Sequence, residues 1–520
     1  MSEQKTDHYS DTELMKKDVE TLETLENLFG DKIPKVESIQ FETFGFTSKD
    51  TKLTGLGLFN KGMKELPNCL QNPQNLEKII ARFNELETLP KWFGNLKSLK
   101  EFNFRGNPIS HLPDSICNLS NLEVMIFNNS RLTSLPENLG DLSNLKQLWV
   151  EYGVLQSLPE SIGKLKKLEL LALEDAKLTT LPESIGGCTN LEFVRFDDNQ
   201  LISLPEGIGK LSNLEGLDVS DNNLTDLPDS IGNLTKLTSL YAHRNQLEKI
   251  PNSIGKLSIL NELQLFHNKL TSLPESLGKL AKLTYLLVSN NHLKSIPKSI
   301  GNMSNLATLK LSNNYLETLP NSIVNLERLQ ELFLDNNRLT NLPETLGKLH
   351  NLFELHINCN NLISLPNSLN NLSNLQILNI SNNLLTELPE KIGNLKKLRI
   401  FDTSSNRLKK LPDSISKLNL LENLVISYNE ISSLPIDFGE LTNLKRLNIQ
   451  KNFLQSIPKS FKQLTNLTDL NLKSVSLNTL PDEIINLPKL KQLWVKEHWW
   501  VSISEETLQK IEQRGCKVYR

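Results

Sequence analysis

Nineteen Leu-Pro or Ile-Pro steps punctuate this chain at intervals of 23 residues, from Pro67 to Pro481, with no insertion or deletion among them. Nothing else in the sequence constrains the fold as tightly. A short, strict period means that each unit is built like its neighbours and packs mainly on them, which is the condition for a solenoid. The usual expectation of one domain per roughly 100–200 residues therefore does not govern these 520 residues.

The unit from Leu211 to Gly232 shows what one coil has to do. Leu217 and Val219 alternate with Gly216, Asp218 and Ser220. That period of two marks a short strand with one buried and one open face. Asn222 leaves the strand, where a buried amide is expected to pair backbone groups of its own coil and of the next, so that stacked asparagines form a ladder. Leu224 and Leu227 carry the chain back under the sheet. Pro228 suits the first position of a short helical segment, from which Ile231, Leu234 and Leu237 face inward, and Gly232 is expected to end that turn. No coil buries these side chains alone. Stacking closes the core, at about 1.5–3 kcal/mol per buried Leu or Ile before entropy is subtracted. The fold class that follows is an α/β solenoid: a horseshoe with a parallel sheet on the concave face and short helical or 3-10 segments on the convex face.

The asparagine is kept in 14 of the 19 units. Lys61 and Val475 replace it at the two ends, where coils have fewer neighbours. Ser130, Gly153 and Ala176 replace it in three consecutive units. Two readings stand side by side for this trio: neutral drift of the repeat, or a relaxed ladder with a reshaped edge over residues 128–178.

Strand alternation also fixes the groove-facing positions, which lie 12, 10, 8 and 7 residues before each Pro. A bulky aromatic there is not core, because its chain neighbours already are; Trp149 lies between inward Leu148 and Val150. Aromatics and charges crowd into residues 149–285, which makes these the candidate partner-binding residues. They are Trp149, Glu151 and Tyr152 on one coil and Glu174 and Asp175 on the next. Phe193, Arg195, Asp197 and Asp198 follow, then Asp218 and Asp221, then Tyr241, His243 and Arg244. Phe266 with His267, and finally Tyr285, complete the set. Earlier coils add Phe59, Arg82, Phe83 and Arg105. Trp, Tyr and Arg are the residue types that dominate binding energy at interfaces. Seven of these residues are carboxylates on four adjacent strands. Like charges stacked so closely call for something basic opposite them, which points to a basic patch on a partner. A solvated acidic surface is the plainer alternative.

The ends read as caps, dividing the chain into 1–52, 53–489 and 490–520. Residues 1–9 read as a disordered tail, Ser10 to Glu13 as a helix-starting capping box, and Met15, Val19, Leu22, Leu25, Leu28 and Phe29 as the stripe of a helix stopped by Gly30. Val36, Ile39, Phe41, Phe44 and Phe46 look like one or two short strands. At the other end, Leu490 to Val495 reads as a last strand. Trp499 and Trp500 read as a shield for the open coil, Ser504 to Arg514 as a helix and Cys516 to Arg520 as a closing strand.

Charge and motif searches narrow the function by exclusion. Lys and Arg total 57 against 60 Asp and Glu, net −3, which does not mark a nucleic-acid or anionic-membrane binder. The first residues contain no apolar run of the kind a secretory signal needs, and no run of about 18 apolar residues exists to span a membrane. Five scattered cysteines without a CxxC pair suit a reducing compartment, so a cytoplasmic location is expected. GxxxxGK[ST], GxSxG and HExxH are all absent, and no enzyme is expected. His243 and His267 lie one repeat apart without a carboxylate or thiol at ligand spacing; neither a metal nor a cofactor is expected.

The segment Leu204-Pro-Glu-Gly-Ile208-Gly-Lys-Leu211 and its copies resemble the LxxLPxxIGxLxxL units of intracellular leucine-rich-repeat proteins. That group includes the Ras-scaffold protein, the plant intracellular Ras-group proteins and the repeat arrays of polarity scaffolds. The likeness runs over about residues 53–500. It implies a non-catalytic scaffold that binds protein partners on its concave face, with small GTPases and phosphatases among the partners of the group. A sensor that takes a peptide or small ligand in the groove is the competing expectation.

Overall fold

The computed structural model describes residues 5–477, 480–495 and 505–520. The chain forms two compact units, Met1–Leu260 and Asn261–Arg520. In the first unit, a hairpin of β1 (Thr6–Tyr9) and β2 (Thr12–Met15) leads into α1 (Lys16–Phe29), and β3 (Phe44–Lys49) pairs antiparallel with β4 (Lys52–Leu58). Three-residue strands follow every 23 residues, from Lys78–Ile80 to Ser239–Tyr241, all parallel. The second unit repeats the pattern from Glu262–Gln264 to Gln492–Trp494, and Lys517–Tyr519 joins its last strand in parallel. The α/β solenoid expected from the period is therefore the architecture of each unit. Register is constant: Phe193 pairs Gly216, Val194 pairs Leu217 and Arg195 pairs Asp218. The middle residue of each triplet points into the core, as Leu217 and Leu240 do.

The outer segments are 3-10 turns such as Asp229–Asn233. Each prolyl carbonyl accepts the first turn bond, as in Ile231 N–H to Pro228 O at 3.0 Å. Pro228 thus stands at the N-cap, one place before the position expected for it. Gly232 does not end the turn; Leu234 is the C-cap. Gly232 lies inside it, against the next turn, where a Cβ would stand 2.3 Å from Ser253 O. It is there because two outer turns approach too closely for any side chain.

The asparagine ladder is present and runs backward. Asn222 Nδ2 donates to Phe196 O of the preceding coil (2.8 Å) and to Val219 O and Ser220 O of its own, and Leu201 N–H of the preceding coil donates to its Oδ1 at 2.9 Å. The expected bond to the following coil is the one its neighbour Asn245 supplies, to Val219 O and Leu224 N–H. Three rungs are missing where Ser130, Gly153 and Ala176 stand: Ser130 Oγ is buried without a partner, and the other two side chains have nothing to donate. The strands there keep the common register, and Asn129, Tyr152 and Asp175 keep the turn conformation of the other coils. Lys177 departs from them at φ 70°, so the edge is altered locally beside Ala176 while the strand register is kept.

The amino-terminal expectations need correction. Residues 6–9 form a strand, not a tail. Ser10 lies in the hairpin turn with φ 54°, and the helix starts at Lys16 without a side-chain cap. Local pairing of β1 with β2 displaced the capping box. Gly30 does close the helix, in the left-handed conformation, with its N–H on Glu26 O at 2.8 Å. Val19, Leu22 and Leu25 are buried, while Leu28 is exposed. Asp18 is buried too; it accepts Leu53 N–H at 2.9 Å and so ties α1 to β4, and burial raises its pKa. Of the apolar residues 36–46, only Phe44 and Phe46 lie in a strand, and Phe41 is exposed. At the carboxyl end a helix covers Glu505–Gln513. Trp499 and Trp500 lie outside the described residues.

Candidate partner-binding face

One residue per coil, three places after the strand, adopts a left-handed backbone. In the first unit these are Asn60, Phe83, Gly106, Asn129, Tyr152, Asp175, Asp198, Asp221 and Arg244, with φ between 47° and 74°. The turn is needed because the backbone ladder continues past the strand (Tyr152 N–H to Glu174 O at 2.8 Å, Asp221 N–H to His243 O at 3.0 Å) while the chain swings away. Asn, Asp and Gly take this conformation at little cost, whereas other side chains lose about 1–2 kcal/mol. Phe83, Tyr152 and Arg244 therefore sit where the fold itself disfavours them. The sequence reading placed this position on the groove but missed its conformation. The recurring Asn and Asp seven residues before Pro were the available signal.

The carboxylates meet around one arginine. Arg195 NH1 reaches Glu151 at 3.2 Å, NH2 bonds Glu174, and Nε stands 3.7 Å from Asp197. Burial works to lower the Arg195 pKa, and Asp197, Glu174 and Glu151 together outweigh it. Others pair locally: Lys177 with Asp175, and Arg244 and His243 with Asp221 at 3.5 and 3.8 Å. Asp218 accepts from Ser220 Oγ at 2.6 Å. The basic group that the sequence assigned wholly to a partner is thus supplied in large part by the chain itself. Two candidate residues are also less open than expected. Glu151 is 5 % exposed and holds Asn128 at 2.7 Å; Asp197 is 9 % exposed. Inward lean toward Arg195 explains both.

Desolvation dominates the titration of this cluster. Burial raises the Glu151 pKa. Burial, then Asp218 and Glu174, push Asp197 up to about 7. Burial with Asp221 and Asp175 raises Asp198. Oxygens of Glu174, Asp197 and Asp198 lie within 4.8 Å of one another, a hard-oxygen set of the kind a divalent cation takes. Arg195 already occupies that charge position, and Glu174 is doubly engaged, by Arg195 and by Tyr152 OH at 2.8 Å.

Beside the cluster, Tyr152 is 42 % and Phe193 46 % exposed. Trp149 is half-buried, with Nε1 on Gln147 at 3.3 Å, and Tyr241 is half-buried. In the second unit, Phe266 and His267 touch edge-on at 5.8 Å, His267 takes the left-handed turn at φ 54°, and Tyr285 is exposed. Stacking between neighbouring strands, the structural alternative for groove aromatics, does occur there, between Phe333 and His356 at 4.8 Å. No helix among the described residues is long and apolar enough to cross a membrane.

Comparison with known proteins agrees with this architecture. The family described as leucine-rich repeat region matches residues 190–283, 269–382 and 390–513, and single leucine-rich repeats match 98–119 and 374–395. A leucine-rich-repeat protein of Leptospira interrogans is 30 % identical, with a TM-score of 0.59 over 88 % of this chain and 99 % of that one. The plant peptide hormone receptor RGFR1, solved in complex with RGF2, is 26 % identical with a TM-score of 0.65 over 92 % and 86 %. YopM of Yersinia enterocolitica is 25 % identical with a TM-score of 0.60 over 90 % of each. None of the curated proteins matches the chain.

Proposed function

This chain belongs to the leucine-rich-repeat family, and on that premise we propose that it is a non-catalytic scaffold whose open strand face binds a protein partner. The carrying observation is Tyr152: a large aromatic, 42 % exposed, held at φ 57° where the turn favours Asn or Asp. Strained, exposed aromatics of this kind fit binding better than folding. Trp149 stands on the same coil and exposed Phe193 two coils on, and Asp198 and Asp218, which Arg195 does not reach within ion-pair distance, invite a basic group from the partner. A small GTPase or phosphatase presenting a basic patch inside the cytoplasm is the partner class that suits the 23-residue units.

The likeness to a receptor solved with a peptide hormone favours a second reading, in which the same face takes an extended peptide. One experiment addresses the face itself. Affinity capture from native extract is compared between the wild-type chain and a Tyr152→Ala, Phe193→Ala double variant. Specific partners should disappear with the variant while its thermal melt is unchanged. Undiminished capture by the folded variant would remove this face as the site.

A further inference from the structure

Two arginines on the first coils, Arg82 and Arg105, close no ion pair among the described residues, although Glu42 acts on Arg82 and Arg105 on Glu151 from beyond ion-pair distance. Arg82 and Arg105 hold equivalent places one unit apart, two residues beyond the paired Ile80 and Asn103. Among the described residues the Nε of each is shielded from solvent without an acceptor. On the same unit, Arg195, Arg244 and Lys177 are all paired with carboxylates. Burial and the facing charge of Arg105 lower the Arg82 pKa, and the exposed Glu42 opposes this without reaching ion-pair distance. Shielded donors beside a like charge are a deficit that a bound anion removes.

The surroundings say what kind of anion. The Arg82 guanidinium carbon lies 5.0 Å from the ring centre of Phe41 and 5.3 Å from that of Phe83. Those rings are 64 % and 45 % exposed, and Phe59 meets Phe83 edge-on at 6.0 Å. Phe83 holds the unfavourable left-handed turn at φ 54°. The next coil has Gly106 beneath it, where a Cβ would stand 2.6 Å from Phe83 Cδ1. Both features keep an aromatic wall beside the charges. Two neighbouring guanidinium forks match an oxyanion of nearly two charges and three acceptor oxygens better than a single carboxylate, and the rings accept a flat apolar body beside it. We propose that Arg82 and Arg105, walled by Phe41 and Phe83, form a binding site for a flat organic phosphate monoester. The proposal does not rest on partner binding at Tyr152, though Arg105 acts electrostatically on Glu151 of that coil.

Calorimetric titration of the full chain with phenyl phosphate, inorganic phosphate and benzoate, at one ionic strength, tests this. Phenyl phosphate should bind tightest, and Arg82→Gln or Arg105→Gln should each weaken it by about tenfold or more, the loss expected for a hydrogen bond to a charged group. Phe83→Leu keeps both charges and should erase the preference for phenyl over inorganic phosphate; it serves also if an arginine variant fails to fold. Absence of phenyl phosphate binding, benzoate binding equally well, or indifference of folded variants would each overturn the proposal.

Discussion

Replacing Asp197 by asparagine is expected to stabilise the protein above neutral pH and to leave it unchanged in acid. Asp197 is 9 % exposed, its Oδ1 accepts no hydrogen bond, and the Arg195 Nε stands 3.7 Å away. Burial, helped by Asp218 and Glu174, moves its pKa from 3.8 up to about 7. The folded value lies above the unfolded one, so the folded state binds the proton more tightly and stability falls as pH rises between them. The stabilising contribution of the protonated group is complete below about pH 4 and gone above about pH 7. A shift of about three units sets a ceiling of about 4 kcal/mol, at about 1.4 kcal/mol per unit. Glu151 and Asp198, also raised, share the proton uptake, which brings the part removable at Asp197 to the order of 1–3 kcal/mol. Asparagine keeps the shape of the protonated acid without its charge. Urea denaturation at pH 4 and pH 8 reads the paired difference: near zero in acid, and at least about 1 kcal/mol in the variant's favour at pH 8. A variant no more stable than wild type at pH 8 would refute the reasoning, because attraction to Arg195 would then exceed the cost of burial.

Three further outcomes follow from the coil. Asn222→Ala leaves Leu201 N–H of the preceding coil unpaired, while Phe196 C=O keeps the Asn199 amide, and should cost about 1–3 kcal/mol in chemical denaturation, the penalty for one orphaned buried group. Gly153→Asn should restore a missing rung and raise the melting temperature, since a Cβ there meets only Ser130 O at 3.7 Å; a lowered melt would show that the ladder bonds do not form at that coil. Gly232→Ala forces a methyl to within 2.3 Å of Ser253 O and should destabilise by about 1–3 kcal/mol in the same assay, whereas a neutral effect would mean that the outer turns part freely.

The coil was legible because its rules are local. Leu217 and Val219 declare a buried strand face by alternation, and Asn222 declares a rung by recurring at one place. Misreadings came where neighbours in space, not in sequence, set the conformation. Gly232 looked like a turn-ending glycine, but the adjacent turn at Ser253 explains it. Ser10 to Glu13 looked like a helix start, but strand pairing took those residues first. The left-handed backbone of Tyr152 was not foreseen, because one sequence window does not show that its N–H must bond Glu174 O while the chain turns.

By itself the sequence determined the period, the inward and outward residues and the rungs, since each depends on spacing within one coil. Only the tertiary structure decided which charges are already satisfied. Arg195 and Glu151 are 44 residues apart and meet only when the coils stack; Arg82 and Arg105 stack the same way, and among the described residues their Nε atoms find no acceptor. Charge pairing acts over a few ångströms of space, and stacking two coils is what brings such distant residues within that range.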